Sequence, residues 1–536
     1  MSFTDRVLCA LDTDDDDEHT PTKLEEIVQD LSDEIDIADT LDPLTLLAPL
    51  VPSPDAGAEP LLEVIRERCS AKEVIVASEE CLDTVKRSVR DQEGQVSLTR
   101  QVLRLVQLFT GKHVHYTPMA TVITRSRRPK NASSTIRSFV PDLAVVIRMV
   151  AERGEGAELL SSCAELVEGI VSWLDNAEAG EEDREACKDI LRPFLLSTTT
   201  SLSPLQSEFA LSHCAFGRCF PRLAASTEGP TEAGVMRRFV EMYTSLGGRW
   251  SDSKDSFVLW AHAVVSNQDL LQYTPSYFPL ILASIQSNAF VDEALAVLLL
   301  FFSPTSPSHS YPDPLLVPLL TLLPALASAH PHPFVRLCAF RLLRLVLRVA
   351  PGVLQLQVLA DLVQARGAMR IAAVGLVKDL VLDALSAPPR ETSVLASPRF
   401  VQSLAPVLFA LPGGVFDTIP PNDEVEMELT RLGEVLALYY VLEIRDVGNR
   451  TGIRDPDNRA NIERTLIVPI RSAVARCMDP PSMHSTSTRE DAASQTSESN
   501  APNVSNAPNV RVRAALAALQ MGIERIDDMW RARGCE

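Results

Sequence analysis

The densest local cluster of potential metal ligands lies between residues 213 and 219. His213, Cys214 and Cys219 carry the imidazole and thiol groups that zinc prefers. A zinc site normally takes four such ligands in paired spacings, and here the fourth would have to come from a distant part of the chain. We therefore favour two buried thiols and a histidine on a helix face over a metal site.

Two further groups of residues imitate metal sites. Asp12, Asp14 and Asp16 have the spacing of the first ligands of an EF-hand loop, but Asp17 stands where that loop requires glycine. His330 and His332 flank a proline at a predicted helix start, where a cap or loop role is favoured over metal ligation. We predict no bound metal and no cofactor.

The sequence lacks the compact motifs that mark common catalytic sites. The patterns GxxxxGK[ST], GxSxG, HExxH and a complete GxGxxG are all absent. Carboxylates are plentiful, but no pair is set apart as a general acid and base. The sequence therefore predicts no catalytic residue and a protein that is not an enzyme.

A cluster of arginines is the main candidate for a binding surface. Arg341, Arg344 and Arg348 share one face of a predicted helix, and Arg366 and Arg370 follow soon after it. In a stack of helices, such a basic ridge can line a groove that accepts an acidic segment of a partner. The alternative, which the residues by themselves favour, is a solvated helix face.

The elements that carry these residues are predicted to be helices. Apolar residues recur at three- and four-residue spacing almost everywhere, and the alternation typical of strands is almost absent. Only 22 glycines and 5% aromatic residues also argue against an all-β fold. Residues 334–385 divide into three helices with short breaks, the spacing of HEAT or armadillo arrays. The predicted fold class is all-α, an irregular HEAT/armadillo-like α-solenoid.

The pattern of charge, apolar residues and low-complexity sequence predicts six segments. The segments are an acidic disordered lead-in (1–21), an N-terminal half of helical repeats (22–302), a Pro/Ser loop (303–314), a C-terminal half of helical repeats (315–478), a disordered insertion rich in Ser, Thr and Asn (479–510), and a terminal amphipathic helix (511–536). At the end of the N-terminal half, residues 276–302 are expected to form one helix.

The terminal helix has an uninterrupted apolar stripe. Its members step alternately by four and three residues, as in a coiled-coil seam: Val512, Leu516, Leu519, Ile523, Ile526 and Trp530. We predict that this stripe docks on the preceding repeats as a cap, and direct partner binding through Trp530 is the alternative.

Charge and cysteine content indicate the compartment and the class of partner. The formal net charge is −21, and residues 1–42 account for −13 of it, because they hold 15 acidic and two basic side chains. Such a balance argues against a nucleic-acid partner, but it permits the acidic arm to compete for the basic ridge. Ten sparse cysteines without a CxxC pair, no secretory signal and no membrane span predict the cytoplasm or the nucleus. A basic cluster, Arg125 to Lys130, is either a nuclear localisation signal or an exposed loop.

Two stretches of the C-terminal half resemble the family of glomulin, ALF and fungal YAP-binding proteins. The first runs from HPHPFVRLCAFRLLRLVL to AMRIAAVGLVKDLVLDAL, and the second is LALYYVLEIRDVGNRTGI. The matching positions are His330, Pro331, Arg336, Met369, Arg370, Gly375, Lys378, Asp379, Asn449, Thr451 and Gly452.

Some of the matching residues can also be interpreted from their chemistry alone, without the family resemblance. We expect Gly375 to permit close approach of two helices, because glycine inside a helix is otherwise unfavourable. Asn449 and Gly452 are expected in a turn after a helix, since both tolerate the left-handed conformation.

The resemblance implies a helical-repeat binding protein without enzymatic activity. Glomulin holds the RING subunit of cullin-RING ubiquitin ligases through its C-terminal repeats, and fungal members are linked to an oxidative-stress bZIP transcription factor and to kinetochores. A partner of one of these kinds, held by the C-terminal half, is therefore expected. The alternative function is a generic armadillo-type scaffold or transport adaptor that recognises peptide segments.

Overall fold

The computed structural model describes most of the chain. The described residues are 2–11, 24–33, 41–87, 97–111, 130–151, 157–176, 181–203, 209–223, 233–250, 254–303, 311, 313–388, 393–411, 423–478 and 507–534. Within these ranges the regular elements are all helices, so the all-α helical-repeat prediction is confirmed. None of the described helices is long and apolar enough to cross a membrane.

The chain divides into two compact units, Met1–Phe301 and Phe302–Glu536. The helices of the first unit are α1 (Phe3–Leu11), α2 (Leu24–Asp33), α3 (Pro43–Leu50), α4 (Ala58–Arg68), α5 (Ala71–Arg87), α6 (Leu98–Gly111), α7 (Lys130–Ala151), α8 (Ala157–Asn176), α9 (Glu181–Leu202), α10 (Ala210–Cys219), α11 (Ala233–Ser245), α12 (Lys254–Ser266), α13 (Thr274–Ser287) and α14 (Val291–Phe302). A 3₁₀ helix, Gln268–Tyr273, precedes α13.

The helices of the second unit follow the same pattern of short breaks. They are α15 (Asp313–Ala329), α16 (Pro333–Val349), α17 (Gly352–Gln364), α18 (Ala368–Ser386), α19 (Pro398–Leu408), α20 (Asp423–Arg445), α21 (Pro456–Ile462), α22 (Val468–Met478) and α23 (Ala507–Gly534). A 3₁₀ helix, Val394–Ala396, precedes α19, and a π-helical turn, Glu463–Ile467, joins α21 to α22.

Four helices of the second unit form a layer in which they run parallel to one another. Contacts between α16 and α18, between α18 and α20, and between α20 and α23 join residues whose numbers rise together along both helices. We call α16, α18, α20 and α23 the parallel layer. Helix α15 packs along α16, α17 packs on α18 and α19, and α22 packs on α23. Alternating helices of this kind are what stacked helical repeats produce.

The terminal helix packs on the preceding repeats, as its stripe predicts. The five aliphatic residues of the stripe are buried, from Val512 to Ile526, and Trp530 is half-buried. The helix contacts α20 and α22. Gly522 lies close enough to Leu436 of α20 that an added Cβ would be 3.3 Å from Leu436 Cδ1. The docking of this helix as a cap is confirmed.

The predicted lead-in and the predicted long helix are both corrected. Residues 3–11 form α1 instead of a disordered lead-in, because Val7 is buried and Arg6 pairs with Asp30 of α2 at 2.6 Å. The single helix expected over 276–302 is two helices, α13 and α14. Asn288 and Phe290 both have φ of 56°, a left-handed conformation that ends the first helix.

Two segment boundaries are also corrected. Helix α15 begins at Asp313, so the end of the predicted 303–314 loop is helical. Helix α23 begins at Ala507, inside the predicted 479–510 insertion, with Pro508 in its first turn, where proline is tolerated. Some predicted features lie outside the described residues, namely residues 304–310, 312 and 479–506, Asp12 to Asp17, and the basic cluster Arg125 to Arg128.

Candidate protein-binding site

The first family-like motif builds the connection between α15 and α16. His330 is buried at this connection, and its Nδ1 accepts a hydrogen bond from the backbone N–H of His332 at 3.1 Å. The Arg336 guanidinium donates to the carbonyls of His330, at 2.7 Å, and Pro331, at 2.8 Å. Burial lowers the pKa of His330 below its ordinary value, which favours the neutral acceptor form. These residues therefore fix the angle between two helices.

Arg370 belongs to a charge cluster between α18 and α20. Its Nη1 donates to Glu428 at 2.7 Å, and its Nε donates to the Val363 carbonyl at 3.0 Å. Glu428 also pairs with Arg431, whose side chain is 0% exposed and donates to the carbonyls at the end of α19. Burial, followed by the charge of Arg431, lowers the pKa of Arg370. Two arginines thus share one carboxylate where three helices meet.

Lys378 and Asp379 link α18 to both of its neighbours in the parallel layer. Lys378 Nζ lies 3.4 Å from Glu434 of α20, and Asp379 lies 3.3 Å from Arg344 of α16. These two adjacent residues of α18 therefore face different neighbours, Lys378 toward α20 and Asp379 toward α16. Their pairing explains why a basic and an acidic residue stand side by side in this motif.

Gly375 does not perform the role that its position in a helix suggests. A Cβ added at Gly375 would have no heavy atom within 4 Å, so none of the helices that the structure describes approaches it closely. The expected close approach is therefore wrong, because this face of α18 is half-exposed. Met369, by contrast, is buried in the packing of the same helix.

The basic ridge is partly neutralised within its own unit. Arg344 pairs with Asp379 and with Asp383, the latter at 3.2 Å, whereas Arg348 lies 3.8 Å from Asp383 without a hydrogen bond. Arg341 is half-buried and Arg366 is exposed, and neither forms an ion pair with a described residue. Partner binding by these four arginines stays a prediction, with Arg348 and Arg366 the members that keep an exposed guanidinium.

The second family-like motif is a tightly bonded turn after α20. Asp446 is buried, and its carboxylate accepts from the backbone N–H groups of Arg450 and Thr451, both at 2.8 Å. The Thr451 hydroxyl donates to the same carboxylate at 2.6 Å. Arg450 reaches back to the carbonyls of Leu385 and Ala387 at the end of α18. The turn therefore locks the ends of two helices of the parallel layer together.

Asn449 and Gly452 have the conformation that their types predict. Their φ angles are 48° and 76°, so the expectation of left-handed residues in this turn is confirmed. The Asn449 amide donates to Asp455 at 2.7 Å and accepts from the backbone N–H of Arg454 at 2.9 Å. A Cβ at Gly452 would lie 3.1 Å from the Asp455 carboxylate. Larger side chains at Gly452 would therefore crowd Asp455 and strain the backbone of this turn.

Glu443 is the centre of the contact between α20 and α23. This buried carboxylate accepts from the Tyr439 hydroxyl and from Arg533, both at 2.8 Å, and it forms an ion pair with Arg454 at 3.7 Å. Burial, and then the neighbouring Glu443 charge, raise the pKa of Tyr439 well above its ordinary value. The phenol therefore stays protonated and donates.

Trp530 completes this cluster. Its ring meets Tyr439 edge-on, with centroids 6.3 Å apart, and the Arg459 guanidinium lies 4.5 Å above it. Cation–π and edge-to-face contacts of this kind stabilise a half-buried indole. Trp530 thus packs within the unit, and direct partner binding by this residue stays a prediction.

A comparison with known families adds a decisive observation. Residues 259–507 match the model of a family described as "Uncharacterised protein family, YAP/Alf4/glomulin". This segment is similar to the YAP/Alf4/glomulin family. The resemblance expected from residues 330–455 is thereby confirmed, and the match extends from α12 to the first residue of α23. No curated protein sequence matches the chain.

The similarity of residues 259–507 to the YAP/Alf4/glomulin family supports a protein-binding regulator in general. The charged residues of the YAP/Alf4/glomulin motifs in this chain hold helices together. The match therefore supports a general role, and these motif residues contribute to the packing of the second unit.

The cluster at residues 213–219 is not assembled as expected. Cys214 and His213 are exposed on α10, and Cys219 is half-buried with its Sγ 3.5 Å from the Leu299 carbonyl. The prediction of two buried thiols is wrong for Cys214, because five residues turn a helix by about 140° beyond a full turn. Among the described residues, no group of three or more His, Cys, Asp or Glu side chains could hold a metal ion.

Sequence reasoning missed the acidic partners Glu428 and Glu443 and the buried Arg431. Glu428 and Arg431 are three residues apart, and Tyr439 and Glu443 are four apart, which are the spacings of side chains that meet on a helix. A carboxylate inside the apolar stripe of α20 was the available signal for Glu443.

Proposed function

We propose that this chain is a non-enzymatic regulator of the YAP/Alf4/glomulin type, which holds a protein partner through its C-terminal helical repeats. The match of residues 259–507 to the family carries the proposal. The ordered ion pairs and the bonded turn of the second unit support it, since a rigid layer loses little entropy when a partner binds.

The partner is proposed to be a RING subunit of a cullin-RING ubiquitin ligase or an oxidative-stress bZIP transcription factor. Both come from the resemblance to the family, whose fungal members are also linked to kinetochores. The net charge of −21 supports a protein partner in preference to a nucleic acid. We propose a location in the cytoplasm or nucleus, which a fluorescent fusion expressed at native level would test.

A binding assay with purified components tests the proposal. Full-length protein and a version ending at Phe302 are compared for capture of a RING subunit and of a bZIP factor. We expect the full-length chain to bind one of the two and the shortened chain to bind neither. Equal capture by both versions would place the interface in the first unit, and capture of neither partner by the full-length chain would reject the proposed partners.

A further inference from the structure

A small cavity opens on the second unit beside the basic ridge. It has a volume of about 160 Å³ and lies where α16, α18 and the 3₁₀ helix Val394–Ala396 meet Phe302 and Ser303, the first residues of this unit. Seven of its twelve lining residues are apolar, and three of these, Phe302, Leu380 and Leu395, are buried. The polar lining residues are Ser303, Arg348, Gln355, Asp383 and Ser393. Tyr311 packs on Phe302 with ring centroids 5.3 Å apart, which helps to hold the Phe302 ring in place.

The size of the cavity limits its occupant. Sites for small molecules and cofactors usually measure about 300–1,000 Å³, roughly twice this volume or more. A cavity of about 150 Å³ holds a molecule the size of benzene, which is also the size of one large apolar side chain. Such a side chain matches the apolar part of the lining, because its burial removes apolar surface from water on both sides.

The mouth of the cavity carries a cation that is only partly neutralised. Arg348 and Asp383 both line the mouth, and they are 3.8 Å apart without a hydrogen bond. Asp383 is already hydrogen-bonded to Arg344 at 3.2 Å, and Arg344 also pairs with Asp379. The Arg348 side chain is 46% exposed, so its donors remain available to a carboxylate that approaches from outside.

We propose that this cavity binds one large aliphatic or aromatic side chain of a partner segment, and that an aspartate or glutamate next to it in that segment pairs with Arg348. An apolar anchor that fills a pocket is the usual form of an interaction hot spot. A charged contact at the rim adds specificity and speeds association. The inference rests on the proposed function, because it supplies the chemistry by which the partner is recognised.

The test is a selection followed by affinity measurements on the full-length chain. A random seven-residue peptide library displayed on phage is selected against the protein. We expect the enriched peptides to share a large apolar residue with Asp or Glu within two positions of it. The best peptide is then synthesised with a fluorophore, and its Kd is measured by anisotropy.

Matched variants show whether the peptide occupies the cavity. Ala384 lines the cavity on α18, so Ala384→Phe fills it, whereas Ser386→Phe adds the same ring to an exposed site of the same helix. Ala384→Phe is expected to weaken binding at least about tenfold, and Ser386→Phe to change it less than about twofold. Arg348→Gln should weaken it several-fold, and the exposed Arg366→Gln should not.

The outcomes separate this inference from the proposed function. Enriched peptides without the apolar–acidic pair, or peptides that bind Ala384→Phe as well as they bind the parent chain, overturn the cavity assignment. Should Ala384→Phe fail to fold, a peptide with alanine in place of its apolar residue must still lose about tenfold in affinity. Capture of a RING subunit or bZIP factor that Ala384→Phe leaves unchanged rejects the cavity alone.

Discussion

Arg533 in the last turn of α23 donates to both the carboxylate and the backbone carbonyl of Glu443 in α20, at 2.8 and 2.6 Å, although the residues are 90 positions apart. Glu443 is 1% exposed, so its carboxylate takes its hydrogen bonds from neighbouring side chains such as Arg533 and Tyr439 instead of water. The terminal helix is thus joined to the parallel layer by a buried charge as well as by its apolar stripe.

Arg533→Ala should destabilise the chain by about 1–3 kcal/mol, because the buried Glu443 carboxylate loses its best donor. Thermal unfolding measures the effect. The matched control is Arg531→Ala, since the exposed Arg531 pairs with the exposed Asp528 of its own helix. That control should change stability by less than about 0.5 kcal/mol. Equal effects of the two substitutions would contradict the assigned role of Glu443.

Trp530→Ala should destabilise the chain by about 2 kcal/mol, because the indole packs between Tyr439 and Arg459. Partner capture should fall only in proportion to the unfolded fraction. Stability and capture are measured on the same preparation. Unchanged stability combined with lost capture would instead make Trp530 a contact residue of the partner.

Gly452 and Gly375 should respond to alanine with opposite signs. Gly452→Ala is expected to cost about 1–2 kcal/mol, because alanine resists the φ of 76° and its Cβ would crowd Asp455. Gly375→Ala should stabilise α18 by up to about 1 kcal/mol, since its Cβ meets open space. Thermal unfolding of both variants decides the matter, and a loss of stability at Gly375 would restore the close-approach interpretation.

The local features of this fold could be predicted because they depend on local chemistry. The apolar stripe from Val512 to Ile526 and the left-handed pair Asn449 and Gly452 follow from helical periodicity and backbone sterics. The break at Asn288 was missed, because the apolar pattern continues across it without proline or glycine.

The partners of the charged residues could not be predicted in the same way. Arg344 meets Asp379 and Asp383 only because α16 and α18 lie parallel at a particular stagger, which one helix's periodicity does not contain. The arginines of the predicted ridge do share a helix face, but the sequence did not show that Asp379 and Asp383 neutralise part of their charge. The cavity beside Arg348 depends on several helices at once, so the candidate site emerged only from tertiary packing.

Stability should fall as pH rises toward 7 because of Glu293 in α14. Burial, and then the charge of Asp292, raise the pKa of Glu293 to about 7, compared with about 4.3 in an unfolded chain. Between these values the folded state binds a proton that the unfolded state releases. The free energy of unfolding is therefore larger at low pH. As the pH rises, it declines by up to about 1.4 kcal/mol per pH unit until the Glu293 carboxyl ionises in the folded state.

Glu293→Gln is the variant that isolates this proton. Ser203 Oγ lies 2.5 Å from Glu293 Oε1, and an amide oxygen can accept the same hydrogen bond. The variant should be more stable than the parent at pH 8, with a flatter profile between pH 5 and 7. Denaturation series at four pH values measure both, and parallel profiles for the two proteins would contradict the shifted carboxyl.

Glu428 and Glu434 test which ion pairs of the parallel layer hold it together. Both are on α20 and both pair with a basic residue of α18, but Glu428 also neutralises Arg431, which is 0% exposed. Glu428→Gln leaves that guanidinium buried without a counter-charge and should cost about 3–5 kcal/mol. Glu434→Gln loses a pair whose members remain partly exposed and should cost less than about 1 kcal/mol. Chemical denaturation of the two variants compares their free energies of unfolding directly. Similar losses would mean that the carbonyls of Leu408 and Ala410 stabilise the Arg431 guanidinium sufficiently without Glu428.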